Sequence, residues 1–375
     1  MHCRIHLPLF VMMLLPCTEI AAAAGANLAD NAALQYWKAF AFLPTLDADQ
    51  EKLIAEWQTA PLDAKVDDLL SASQNSLMFL HRGAKMKNCD WGLDDQDGIS
   101  TLLPHLAKAR TLALIAALDA RRAFERDNAK AAREDAVSIM ALARHVGRDP
   151  IMICFLVRYN LEGLVVDLVA PHVPDLKMPY SEAVAMLEAM PRAATLQESV
   201  LHEKKIMAPS MIKQLTDAEE RHSGGWRDLW MKLLDGANAP EQVRNIESLP
   251  EVIRLINGFF SHYDELATIV ALPKHEFDTQ YAAFEQRIKA ANPMTAVLLP
   301  TMDELLAKEH RNTTRMQLLL AAIAVASDGP GALAKIDDPF GDGPFEYRKL
   351  DDGFELKSQL ESDGEPVTLT VGQEP

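Results

Sequence analysis

The chain has 375 residues, enough for one large or two medium domains, and 49% of them are hydrophobic. With 54 acidic against 37 basic residues its formal net charge is -17, which argues against nucleic acid and anionic membrane surfaces as partners. No basic patch interleaved with aromatics interrupts that acidity, so the charge reads mainly as solubility.

Residues 1–26 read as a secretory signal peptide. Arg4 with His2 and His6 gives a weakly basic start, the run 7–15 a short apolar stretch, and Ala21 to Ala24 small-residue cleavage sites. Such a leader predicts a secreted or periplasmic protein with no transmembrane segment once it is removed. A lipoprotein signal at Cys17 fits less well, because Pro16 stands where a small residue is wanted. Processing leaves a predicted helical domain over 27–335 and a C-terminal appendage over 336–375.

The first predicted helix, 31–42, is rich in aromatics (Tyr36, Trp37, Phe40, Phe42) and ends at Pro44. Two more follow over 46–57 and 62–82, the second with Val66, Leu69, Leu70, Leu77 and Leu80 at helical spacing. The polar segment 83–100 holds Cys89, Trp91 and the acidic cluster Asp94, Asp95 and Asp97. An EF-hand loop with Gly98 at its sixth position would put Leu93 and Leu103 where oxygen ligands belong. The cluster therefore reads as a solvated loop whose acids favour the N-terminus of the next helix.

Three successive helices are predicted over 102–170. The first two (102–125 and 128–146) place alanines at helical spacing, and small side chains let helix axes approach closely. The third is the most apolar segment after the leader; Asp149 and Pro150 suit its start and Pro171 its end. Arg158, Asn160, Glu162 and Asp167 interrupt it, too many polar groups for a membrane span. Short connections make neighbouring helices antiparallel, so the first and third start at the same end. That would bring Cys89 towards Cys154. A bridge between them would close a loop of roughly 65 residues, worth about 4 kcal/mol in the chain-entropy model; two independent buried thiols are the alternative.

Helices are predicted again over 180–190, 193–215, 226–234, 247–271, 276–291 and 294–326, with a break near Pro300 and a polar loop over 217–225. The expected fold class is all-α, a multi-helix array of antiparallel helical hairpins. The appendage differs. Phe345 to Leu350 alternates, Asp351, Asp352 and Gly353 signal a hairpin turn, and Phe354 to Ser358 alternates again. Phe345, Tyr347, Phe354 and Leu356 can share one apolar face laid on the helical body, and 367–371 offers a third strand.

Asp338-Pro339-Phe340-Gly341, Pro344-Phe345, Tyr347, Gly353-Phe354 and Ser358 resemble the C-terminal hairpin of type II secretion major pseudopilins. The resemblance covers roughly 20 residues; the Gly- and Asp-rich calcium-binding end and the N-terminal helix of that family are missing. With Cys89 to Gly92, Leu103 to Leu106 and this tail, the whole chain resembles a group of uncharacterised secreted all-helical proteins of environmental bacteria. That resemblance implies an exported helical protein and no particular activity.

No HExxH, G-x-S-x-G, Walker A or dinucleotide fingerprint is present, and nothing in the sequence calls for a metal or cofactor. The eleven histidines are scattered, and His202-Glu203 reads as a solvated helix face. Arg158 and Glu162, four apart, can pair on one face of the third helix. With His145 and His105 on neighbouring helices they form the candidate acid/base set, against a structural reading as a polar stripe or buried ion pair. The first expectation is a non-catalytic binding or scaffold protein for a protein or cell-envelope partner. The alternative is a hydrolase or lyase working near Arg158 and Glu162.

Overall fold

The computed structural model describes residues 30–94, 98, 101–234 and 239–372. The expected signal peptide, with Cys3 and Cys17, and the acidic residues Asp95 and Asp97 lie outside them. The described chain is all-α with a small antiparallel sheet at its C-terminal end. No described helix is long and apolar enough to cross a membrane.

Asn31 starts α1 (Ala32–Ala41), its side chain accepting from the Ala33 amide. An Asp47–Gln50 capping box starts α2 (Ala48–Ala55). The helix expected over 62–82 is two, α3 (Ala64–Ala72) and α4 (Gln74–Ala84). The buried Ser73 hydroxyl between them bonds back to the Leu69 carbonyl, a local bond that competes with regular helix.

The three central helices are α5 (Pro104–Glu125), α6 (Ala129–Val146) and α7 (Met152–Val169). Ala109, Ala113, Ala116, Ala117 and Ala120 of α5 are fully buried, the close approach that the alanine pattern predicts. Trp91 joins one end of the layer, stacking on His105 at the start of α5 while its indole donates to the His145 carbonyl at the end of α6 (3.0 Å). The expected Asp149 cap of α7 is not formed. Ile151 occupies the cap position in extended conformation, and the Glu203 carboxylate accepts the Met152 amide instead (3.3 Å). Glu203 is therefore a buried capping group, not part of a solvated face.

After a 3₁₀ turn come α8 (Val173–Leu176), α9 (Tyr180–Glu188) and α10 (Leu196–Arg221), the last opened by a Thr195–Glu198 capping box. The loop expected over 217–225 is helical to Arg221, because Leu215 and Ala218 are buried. Then follow α11 (Gly225–Leu233), α12 (Glu241–Arg244), α13 (Leu249–Phe260), α14 (Tyr263–Ile269) and α15 (Lys274–Ala291). The helix expected over 247–271 is thus broken, and the buried Phe259, Phe260 and Tyr263 rings cluster around the break. The last helix, α16 (Thr295–Asp328), runs unbroken where an interruption was expected near Pro300.

These elements make two hydrophobic cores. One gathers α1 to α7, α9, the C-terminal half of α16 and the sheet; the other gathers α10 to α15, the start of α16, and Phe155 and Tyr159 of α7. Both α7 and α16 therefore belong to both cores. The sheet, β1 (Glu346–Leu350), β2 (Gly353–Ser362) and β3 (Glu365–Val371), has the order β1-β2-β3. Leu356 faces Tyr347 on one side and Leu369 on the other. Phe354, Leu356, Val367, Leu369 and Val371 are buried, and β2 and β3 lie on α16; Tyr347 stays partly exposed. Buried Asp338 fixes the entry to the sheet by accepting from the Ser358 hydroxyl, the Gln359 amide and the Phe340 amide.

Candidate functional site

Arg158 and Glu162 meet as their spacing predicts, and the structure adds further partners. Glu162 is 1% exposed; its Oε1 accepts from Arg158 Nε (3.1 Å) and lies 2.8 Å from Arg144 Nε, although that N–H is not aimed at it. Asn312 of α16 donates to Oε2 (2.5 Å). The Arg158 guanidinium also donates to the Ala194 carbonyl and covers the Phe155 and Tyr159 rings. A buried carboxylate needs compensation for its lost hydration. Two guanidiniums and an amide supply it here, and they occupy both carboxylate oxygens.

Beside this centre the Tyr159 hydroxyl is buried and faces Glu309, whose carboxyl is pushed up by burial against the opposing pull of Arg158. Sequence reasoning missed Arg144, Tyr159, Glu309 and Asn312. Tyr159 stands inside the same polar interruption as Arg158 and was legible there. Asn312 is 150 positions from Glu162, and no local spacing signals it.

The two histidines do not join the Arg158–Glu162 pair. His145 is fully buried and hydrogen-bonds the Tyr36 hydroxyl through Nδ1 (2.8 Å), while Arg144 beside it reaches Glu162. Burial, aided by the Arg148 charge, lowers its pKa to about 4. His105 is also fully buried, stacks on Trp91 with ring centroids 4.4 Å apart, and is lowered to about 4 by burial. Both are neutral core groups of an aromatic cluster with Tyr36, Trp37 and Phe40.

The expected Cys89–Cys154 bridge is not formed. Both cysteines are free and buried in the first core, and both lie near Asp149, so they do share one end of the layer. Burial pushes both thiols well up, towards the unreactive neutral form. Among the described residues no group of three or more His, Cys, Asp or Glu is placed to hold a metal.

A different feature has the character of a binding site. A narrow cavity of about 90 Å³, open to solvent on one side, lies between α6, α7, α9 and α16 and is lined almost wholly by apolar side chains. Five methionines contribute to it: Met140, Met178, Met186, Met190 and Met316. Among the described residues the single charged lining residue, Arg133 of α6, is ion-paired with Glu182 of α9 (3.2 Å) and ties that short helix across the opening. Methionine is unbranched and adaptable, so such a lining reshapes around an apolar guest at low cost. Comparisons with protein families, with curated proteins and with solved structures give no match to this chain.

Proposed function

We propose that this is an exported, non-catalytic binding protein whose ligand site is the methionine-lined cavity beneath α9, and that its ligand is a narrow apolar group such as an alkyl chain. The observation that carries the reading is the lining itself: five methionines on several chain segments around one apolar space, with charge only at the rim. Its open side gives an alkyl chain a way in, and covering its apolar lining removes that surface from water. The ionic centre supports the same reading, since the oxygens of Glu162 already accept from Arg158 and Asn312 with the Arg144 charge beside them.

The test is octanoate titrated into the whole chain carrying 13C-methyl methionine, followed by NMR. The methyl resonances of Met140, Met186, Met190 and Met316 are expected to shift and saturate. Ala136→Phe, which fills the cavity from α6, is expected to abolish the shifts while the circular dichroism spectrum stays helical. Arg158→Met is expected to lower stability and leave octanoate binding unchanged. Absent shifts, or shifts that persist in Ala136→Phe, would overturn the reading; binding lost in Arg158→Met would return attention to a site at the ionic centre.

A further inference from the structure

Where α7 and α16 cross between the two cores, an open cleft of about 340 Å³ runs along their junction. Its α16 wall carries Lys308, Arg311 and Arg315, spaced i, i+3 and i+7, which puts all three cations on one stripe. Like charges at this spacing repel, and they gather here on a chain whose net charge is -17. Among the described residues the cleft wall contains one carboxylate, Asp167, against these three cations.

The existing partners do not use up this charge equally. Arg315 is ion-paired with Asp167 across the cleft. Lys308 pairs with Glu304 one turn back on the same helix (2.6 Å), both substantially exposed. Among the described residues Arg311 has a 3.9 Å approach to Asp363, a highly exposed residue in the turn between β2 and β3, too long for a hydrogen bond. Arg311 thus keeps its donor fork available, and a planar fork matches the oxygens of a carboxylate or phosphate. Asn160 adds polar lining on the α7 side. Gly163 keeps the floor open beside Arg315: a Cβ there would come within 3.3 Å of Arg315 Nη1.

We infer that this cleft binds a small multivalent oxyanion, a di- or tricarboxylate or a phosphate, with Arg311 as its principal ligand and Lys308 and Arg315 flanking it. Asp167 competes with the anion for Arg315 and sets the affinity from within the cleft. The site is separate from the methionine-lined cavity and stands or falls independently of it.

The experiment is calorimetric titration of the full chain with citrate and, separately, inorganic phosphate, at matched ionic strength in chloride. One-to-one binding of at least one of the two is expected, the stronger heat identifying the chemistry. Arg311→Gln is expected to weaken it about tenfold or more, the loss of a charge-assisted hydrogen-bonded pair. Asp167→Asn is expected to tighten it several-fold by releasing Arg315 and by removing the one negative charge among the described cleft residues. Ala136→Phe is expected to leave it unchanged. No saturable heat with either anion, equal affinity in Arg311→Gln, or weaker binding in Asp167→Asn would each overturn the inference.

Discussion

His105 presents both ring nitrogens to the interior with no hydrogen-bond partner among the described residues, while its ring face stacks on Trp91. The residue therefore contributes as an aromatic surface and is penalised as a polar group. His105→Phe keeps the surface and removes the polar atoms, so it is expected to raise stability at pH 7. The pH dependence has a definite sign. The folded ring titrates near 4 and the unfolded one near 6.5. Below pH 6.5 the unfolded state takes a proton that the folded state refuses until about pH 4, so this histidine's contribution to stability falls across that window. The full displacement corresponds to about 3 kcal/mol. Asp135, pushed up to about 6 by burial despite its His81 partner, acts in the opposite direction between pH 6 and 3.8. The comparison must therefore be variant against wild type, by urea unfolding at pH 7 and pH 4.5. The advantage of His105→Phe is expected to grow as the pH falls; an advantage that stays constant would show that His105 is not neutral in the fold. At this scale the sequence was informative only where partners are local. The Arg158–Glu162 pair was legible because four residues make one helical turn, whereas Arg144 and Asn312 reach Glu162 by tertiary packing alone.

Helix boundaries followed the same logic. Asn31, Asn128 and the Asp47–Gln50 pair start helices as their side chains suggest, since capping is a local bond. The start of α7 was misread because its amide is satisfied by Glu203, a residue of α10 some 50 positions on. Breaks at Ser73 and after Phe260 were hidden because the apolar spacing continues through them; burial of the flanking rings and leucines decides the geometry. The packing of α4 on α1 offers a test at this scale. Gly83 lies against the fully buried Tyr36 ring, where an added Cβ would come within 2.6 Å of Cε1. Alanine is intrinsically better in a helix than glycine by about 1 kcal/mol. Overpacking against a ring that is itself bonded to His145 costs about 1–3 kcal/mol and outweighs that gain. Gly83→Ala is expected to lower the urea midpoint, and Gly331→Ala, where a Cβ meets nothing within 4 Å, to leave it unchanged. Equal behaviour of the two would mean that the α1–α4 contact yields without loss.

At the scale of the molecule, the all-helical body with its terminal sheet was readable, because periodicity switches from 3.6 to 2 near residue 345. The division into two cores was not, since α7 and α16 each run from one core into the other as a continuous helix, with no linker composition to mark the boundary. The thiols follow from that division. Cys89 and Cys154 belong to one core and lie near the same aspartate, at the one end of the layer where antiparallel neighbours place them. The packing at that end keeps the two apart. Cys89 is buried against α1 and Cys154 is fully buried within α7, each side chain acting as a small hydrophobe in its own niche. Thiolate is the nucleophile in alkylation, and burial holds both groups as neutral thiols. In the folded protein without reductant, iodoacetamide is expected to leave both peptides unmodified, and in denaturant to modify both, as read by mass mapping of the Cys89 and Cys154 peptides. Because both residues sit in the first core, the urea concentration at which they become reactive should coincide with loss of near-ultraviolet signal from Trp91, the ring buried beside His105 in that core. Recovery of a linked Cys89–Cys154 peptide would show that oxidation pulls the start of α7 and the 89–94 segment together, and with them the end of the layer that Trp91 closes.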